Sequence, residues 1–232
     1  AAAPTPEAER VELREVAAAL DGLPPLGAAW RDLVAFAARY YQRSLGEVAL
    51  AALPPQLRDL SAVQLARRLK RRGAADPAAD APGAATTGPE LTAEQSRALA
   101  RLEAEAGPFL LFGSTGSGKT EVYLRAVAAL LERDPQAQAL VMVPEINLTP
   151  QLEARFAERF GAGTVVSIHS GMTNPQRLAS WLAAHTGAAR IVLGTRMAVF
   201  ASMPRLALIV VDEEHDPSYK QQEGARYSAR DL

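Results

Sequence analysis

The sequence predicts an α/β fold, with a parallel sheet covered by helices over 91–232 and a small helical region before it. Three observations predict it. Five short, nearly unbroken apolar runs follow Leu91: "PFLLF", "QALVMV", "TVVSI", "RIVLG" and "LALIVV". Strands buried on both faces of a parallel sheet have this near-continuous apolar character rather than strict alternation. Helical patterns separate the runs, and helix starts are marked at Thr149–Pro150 and at Asn174–Pro175, each read as an N-cap followed by proline at the first helical position. Finally, the first run leads straight into a glycine-rich loop and then into an amphipathic stretch.

In order along the chain, residues 1–72 are expected to be mainly helical from about residue 7. "AAWRDLVAFAARYY" places Trp30, Leu33, Val34, Ala37 and Tyr41 on one face. Pro54–Pro55 ends the next helical segment. In "SAVQLARRLKRRG", Ser61 and Gln64 form a capping-box pattern and Gly73 a stop. The Arg and Lys near its end read as a solvated face whose cations suit the C-terminal dipole. Residues 73–90, rich in Ala, Pro and Gly and without periodicity, read as a linker. The α/β region of about 140 residues follows, a usual domain size.

Composition narrows the chemistry. The 232 residues carry a net charge of −1, so any nucleic-acid contact must come from local clusters. There is no cysteine, which excludes disulfides and cysteine-ligated zinc in this chain. No apolar run approaches the roughly 20 residues of a membrane span, and the first residues lack the pattern of a secretory signal. The start at Ala1 and the end at "SARDL" suggest a piece of a longer protein.

The segment Gly113, Ser114, Thr115, Gly116, Ser117, Gly118, Lys119, Thr120 reads G-x-x-x-x-G-K-T between an expected strand and an expected helix. That context is what a phosphate-binding loop requires. Glycines let backbone N–H groups approach phosphates, and the helix N-terminus adds partial positive charge. Lys119 can reach the β- and γ-phosphates of ATP, and Thr120 can ligate Mg²⁺. Downstream, "LALIVVDEEH" ends an apolar run at Asp212, at the C-terminal edge of an expected buried strand, where open α/β sheets bind ligands. Asp212 is a candidate Mg²⁺ ligand. Glu213 is a candidate base for the attacking water.

These motifs, with "GSTGSGKTEVY", "LVMVPEINLTPQ", "HSGM", "IVLGTRMAVF" and "IVVDEEHDPSYKQQEGARYSARDL", resemble the PriA family of replication-restart helicases (primosomal protein N′), within helicase superfamily 2. "ARYYQRSLGEVALAALPP" resembles the segment where that family leaves its N-terminal DNA-binding domain. The resemblance implies a RecA-like first motor lobe of an ATP-driven 3′→5′ DNA helicase that acts at stalled or collapsed forks in primosome assembly. It implies forked and single-stranded DNA as partners, with single-stranded DNA-binding protein, other primosome proteins and a replicative helicase loader beside them, in the cytoplasm at the nucleoid and with no membrane.

Residue by residue, Gln95 falls at the family's adenine-reading glutamine, although Thr92 and Gln95 also make a capping box. Thr195 and Arg196 fall at a strand-contacting motif, where Arg196 has pairing with an acid as its bland alternative. Tyr219, Lys220, Arg226 and Tyr227 fall in a DNA-sensing aromatic loop. His215 is expected to couple that loop to the ATP site, His169 to cap a strand end, and His185 to lie on the surface. The family usually has tryptophan where Ala225 stands and often histidine where Ser228 stands; base stacking is worth about 1–3 kcal/mol per base, so a lost ring should weaken DNA coupling. The segment 54–90 is short for the family's winged-helix domain. The second motor lobe, with its arginine finger and zinc-binding cysteines, has no counterpart here, so the isolated chain is expected to be inactive or weakly active. A non-enzymatic DNA-binding scaffold and a nucleotide kinase are the rival readings; the kinase lacks an apparent lid segment.

Overall fold

The computed structural model describes residues 19–73, 88–114 and 116–232. The expected helical start at 7–18, most of the expected linker and Thr115 lie outside the described residues.

Apolar periodicity, caps and breakers account for the helices. Helix α1 is Ala28–Tyr40 and α2 is Leu45–Ala52, the latter capped by the Ser44 hydroxyl, which accepts from the Glu47 N–H. Pro54 and Pro55 end α2 and open a 3₁₀ turn at Pro55–Asp59. In α3, Ala62–Gly73, Ser61 and Gln64 make the expected reciprocal capping bonds. Helix α4 is Ala93–Ala104, α5 Lys119–Arg133, α6 Pro150–Phe160 and α7 Asn174–His185. Thr149 caps α6 with Pro150 at its first position, as expected. At α7 the cap is one residue earlier than expected: Thr173, not Asn174, accepts from the Gln176 N–H, and Gln176 bonds back to Thr173. The capping box decides, because Gln176 stands three residues after Thr173.

Four parallel strands, β1 Gln138–Met142, β2 Val165–Ile168, β3 Ile191–Gly194 and β4 Leu206–Val211, form a sheet in the order β2-β3-β1-β4. Their side chains alternate between two faces. Ala139, Val141, Ile191 and Leu193 join Leu124, Val127 and Phe156 of α5 and α6. Leu140, Met142, Val192 and Ile168 join Val34, Ala37 and Val48 of α1 and α2, together with Phe200, Tyr219 and Tyr227. The first helices thus form one layer of the sheet's core, pinned by the Trp30 indole N–H, which donates to the Phe200 carbonyl (2.9 Å). A third cluster sets Leu60, Leu65 and Leu69 of the 55–73 segment on Leu178, Trp181 and Leu182 of α7.

Two expectations need correction. Pro108–Phe112 is not a strand: among the described residues it has no ladder partner, and Phe112 is 93% exposed. The strand ending at Asp212 is not buried on both sides, since β4 pairs only with β1 among the described residues and Ile209 is 55% exposed. One cause serves for both. A strand is made by its neighbours, and neither the free edge of β4 nor 108–112 has one here.

Candidate nucleotide and nucleic-acid site

The loops at the C-terminal ends of the four strands share one edge of the sheet, beside the N-terminus of α5. Gly118 begins α5 at φ +81°, a left-handed conformation that glycine adopts without a Cβ penalty. A Cβ there would also lie 2.3 Å from the Gln95 amide. Lys119 turns back over the loop and donates to the Gly113 carbonyl (2.7 Å). Its Nζ also lies 3.4 Å from a Glu213 carboxylate oxygen. Glu213 takes φ +45°, unusual for a residue with a side chain, just past the end of β4. Lys119 and Glu213, 94 positions apart in sequence, therefore meet beside Asp212, the residue after β4.

Tyr123, one turn into α5, is a site residue that the motifs did not indicate. Its hydroxyl donates to Asp212 (3.2 Å) and also interacts with Thr120, so it bridges the two candidate Mg²⁺ ligands. Burial and the Asp212 charge push the tyrosine pKa upward. Burial raises the Asp212 carboxyl above its ordinary value, opposed by the Tyr123 hydrogen bond and reinforced by the Glu213 charge. A divalent cation would reverse that logic, because it favours the carboxylate. Among the described residues no group of three or more His, Cys, Asp and Glu gathers as a metal site. The donor set of one hydroxyl and one carboxylate fits Mg²⁺, which keeps waters and takes its other ligands from phosphates.

The remaining candidates divide. Ser114, Gly116 and Ser117 are exposed in the loop, and Gly113 and Gly118 are half-buried. Thr115 is outside the described residues. Gln95 holds both ends of its amide in place: Oε1 accepts from the Thr92 N–H (2.9 Å) and Nε2 donates to the Ser117 carbonyl (2.9 Å). The capping box is formed, and the same side chain braces the glycine-rich loop. Adenine contact would require these bonds to be given up.

On the nucleic-acid side, Lys220 and Arg226 are exposed, with the Lys220 ammonium over the Tyr41 ring at 5.1 Å. Tyr219 and Tyr227 are not stacking platforms in this structure: both are buried in the cluster that holds Phe200. The Tyr219 hydroxyl donates to the Asp212 carbonyl (2.6 Å), and the Tyr227 ring meets Phe200 edge-on. Ala225, 7% exposed, packs among them, so it leaves no open gap for a base. Thr195 is buried as well, its N–H bonded to the Ile168 carbonyl, and offers no hydroxyl to a phosphate here. The packing is close because Gly194 admits the following 3₁₀ turn, Arg196–Phe200; a Cβ at Gly194 would lie 2.4 Å from the Ala198 Cβ. Arg196 takes its bland alternative and pairs with Glu145 at 2.9 Å.

Of the histidines, His215 is largely exposed, 3.8 Å from Glu213. His169 faces Glu153 at 3.9 Å. His185 is buried rather than superficial. Its Nε2 donates to the Pro24 carbonyl (2.8 Å), which fixes the neutral tautomer and leaves Nδ1 to accept from the Ser202 hydroxyl (2.9 Å). Trp181 stacks on the ring. Its position at the end of α7 gave no sign of this, because the Pro24 partner comes from 161 positions away.

A glycine-rich loop before α5, an acidic pair at the end of β4 and a parallel sheet covered by helices define an α/β fold of the RecA-like class. The DEAD/DEAH box helicase family model matches residues 92–232, and the chain belongs to that family. A 3′ DNA-binding domain model matches residues 1–54. The chain is 47% identical over 144 residues to the replication restart protein PriA of Haemophilus influenzae, covering 61% of this chain and 19% of that protein. The corresponding protein of Bacillus subtilis is 45% identical over 124 residues, 53% of this chain and 15% of the relative. That of Rickettsia felis is 32% identical over 200 residues, 86% and 28% respectively. The chain thus spans less than a third of the length of these relatives.

Proposed function

We propose that this chain is the nucleotide-binding part of an ATP-driven 3′→5′ DNA helicase that works in replication restart. The observation that carries the reading is the meeting of Lys119, Glu213 and Asp212 at one strand edge, with Thr120 joined to Asp212 through Tyr123. ATP with Mg²⁺ supplies the transferable phosphoryl group and its charge neutralisation. Lys119 would leave the Gly113 carbonyl for the β- and γ-phosphates, Thr120 and Asp212 would hold the metal, and Glu213 would orient the attacking water. Residues 1–72 would serve as the end of the DNA-binding region, 73–90 as a linker and 91–232 as the first motor lobe. Forked and single-stranded DNA are the proposed substrates, with primosome proteins as partners.

The rate of ATP hydrolysis with and without forked DNA, in the full-length protein and in Lys119→Ala, tests the reading. We expect DNA stimulation that Lys119→Ala abolishes while the fold survives, because Lys119 opens α5 with its side chain turned back over the loop rather than into the core. Equal hydrolysis by the variant refutes the site. A non-enzymatic DNA-binding scaffold is favoured by one observation, the burial of Tyr219 and Tyr227, which removes both rings as stacking surfaces for a DNA-triggered hydrolysis. DNA binding without stimulated hydrolysis would support that second reading.

A further inference from the structure

Glu145 stands three residues past the end of β1, in a segment that the site described above does not use. Its carboxylate meets groups from the loops after β2 and β3, and its backbone N–H meets the loop after β4. One oxygen accepts from the Ser170 hydroxyl, after β2. The other accepts from Arg196 Nη1 at 2.9 Å, after β3. The Glu145 backbone N–H points to the Ser218 hydroxyl at 3.4 Å, after β4. Arg196 adds to this: its Nε donates to Gln221 Oε1 at 2.7 Å and Nη1 also reaches the Ser218 carbonyl at 3.4 Å. The Ser170 hydrogen bond and the Arg196 charge hold the Glu145 carboxyl below its ordinary value, against partial burial.

We infer that Glu145 is a positioning residue that aims Arg196 at a nucleic-acid phosphate and ties that contact to the acidic pair; the inference rests on the function proposed above. Two edges of the guanidinium are fixed by Glu145 and Gln221, so the plane is set before any ligand arrives. The Nη2 edge makes no hydrogen bond to a described residue, and arginine presents five donors in a rigid fork. A phosphate met by Nη2 draws on a plane whose other edges hold Ser218 and Gln221. Between these lies Tyr219, whose hydroxyl bonds the Asp212 carbonyl at 2.6 Å. A route of direct bonds thus runs from the phosphate-facing arginine to the residue that begins the acidic pair. An ordinary half-exposed ion pair would contribute little and transmit nothing.

The test compares Glu145→Ala and Glu145→Gln in the full-length protein, with a single-stranded oligothymidylate as the probe. The readout is the ratio of ATP hydrolysis with and without it. Glu145→Ala should lower that ratio about fivefold or more, in the range of modest coupling between sites. Glu145→Gln should stay within about twofold of the parent, because its amide oxygen still accepts from Arg196. Amide hydrogen exchange at 169–172 and 217–222 should quicken in Glu145→Ala and not in Glu145→Gln. An unchanged ratio in Glu145→Ala overturns the inference, as does a parallel fall in both variants. If the parent shows no stimulation, the proposed function fails, and exchange alone decides the junction: unchanged exchange in Glu145→Ala overturns it too.

Discussion

Glu121 is a buried carboxylate among three guanidiniums, and replacing it with glutamine measures what holds α5 to α6. It lies in the first turn of α5, next to Thr120, and its side chain is 6% exposed. Arg125 Nε donates to it at 3.0 Å, Arg155 Nη2 at 3.2 Å and Arg159 Nη1 at 2.9 Å. Arg125 also donates to the Gly88 and Pro89 carbonyls, so the network reaches the segment before α4. Burial alone would raise the Glu121 carboxyl, but the hydrogen bonds and charges of Arg159 and Arg125 outweigh it and hold it below its ordinary value.

The side chain of Arg155 is 48% exposed and would regain water on losing its partner, so its share is near zero. Arg159, 12% exposed, cannot do so, and a charged hydrogen bond lost there costs about 1.5–3 kcal/mol. With a little from Arg125, and one acceptor oxygen kept by the amide, Glu121→Gln should cost about 2 kcal/mol. For a chain of this size that is a fall of roughly 4–8 °C in midpoint. Urea and thermal unfolding followed by circular dichroism measure it. A companion Arg159→Met variant and the double variant should show coupling of about 1 kcal/mol or more. A loss under about 0.5 kcal/mol, or additive single effects, would refute the argument that Arg159 is held by Glu121. The sign with pH follows from the depressed carboxyl: the contribution is full above the ordinary glutamate value and is lost as pH falls through the folded one.

Ala225→Trp should destabilise by about 1–3 kcal/mol, because the site is filled by Tyr219, Tyr227 and their neighbours; a gain in stability on urea unfolding would show an open gap instead. Burial lowers the His185 pKa, so the unfolded chain binds the proton first; stability should be constant above about pH 6.5 and decline below it, and the decline should be smaller in His185→Gln. Tyr219→Phe removes the hydroxyl that donates to the Asp212 carbonyl and should cost about 1 kcal/mol by urea unfolding, with no loss expected if that bond contributes nothing. The isolated chain should turn ATP over very poorly, since an arginine finger supplied from elsewhere contributes about 10³–10⁵ in rate; turnover equal to the full-length protein would contradict that half-site.

The parts legible in the sequence are those fixed by neighbours a few residues apart. The acidic pair after an apolar run and the caps at Ser61, Thr92 and Thr149 depend on local spacing, and the structure forms them as a turn after β4 and as helix starts. Four of five apolar runs became strands, because each has a neighbour to bond. Pro108–Phe112 is as apolar but has no ladder neighbour among the described residues, which composition cannot reveal. The misplaced aromatics have a related cause. Tyr219 and Tyr227 resemble an exposed sensor by motif, but α1 and α2 bring Trp30, Tyr41 and Val48 over that loop, and the rings are buried. The Tyr41 hydroxyl even accepts from the Ser228 N–H, across 187 positions. Glu121, Glu145, Tyr123 and His185 were silent for the same reason: each acquires its meaning from a partner on a different element.

The unpaired side of β4 has a consequence for anyone who makes this chain alone. Among the described residues its outer N–H and C=O groups have no ladder partner, and they lie beside exposed Leu206 and Ile209, with Leu110 and Phe112 also turned to water. Such an edge accepts any strand of matching register, and the most concentrated source in a purified sample is another molecule of the same sequence. The isolated chain should therefore precipitate increasingly as its concentration rises, with its fold still intact, and Ile209→Lys should delay precipitation without changing the unfolding free energy by more than about 0.5 kcal/mol.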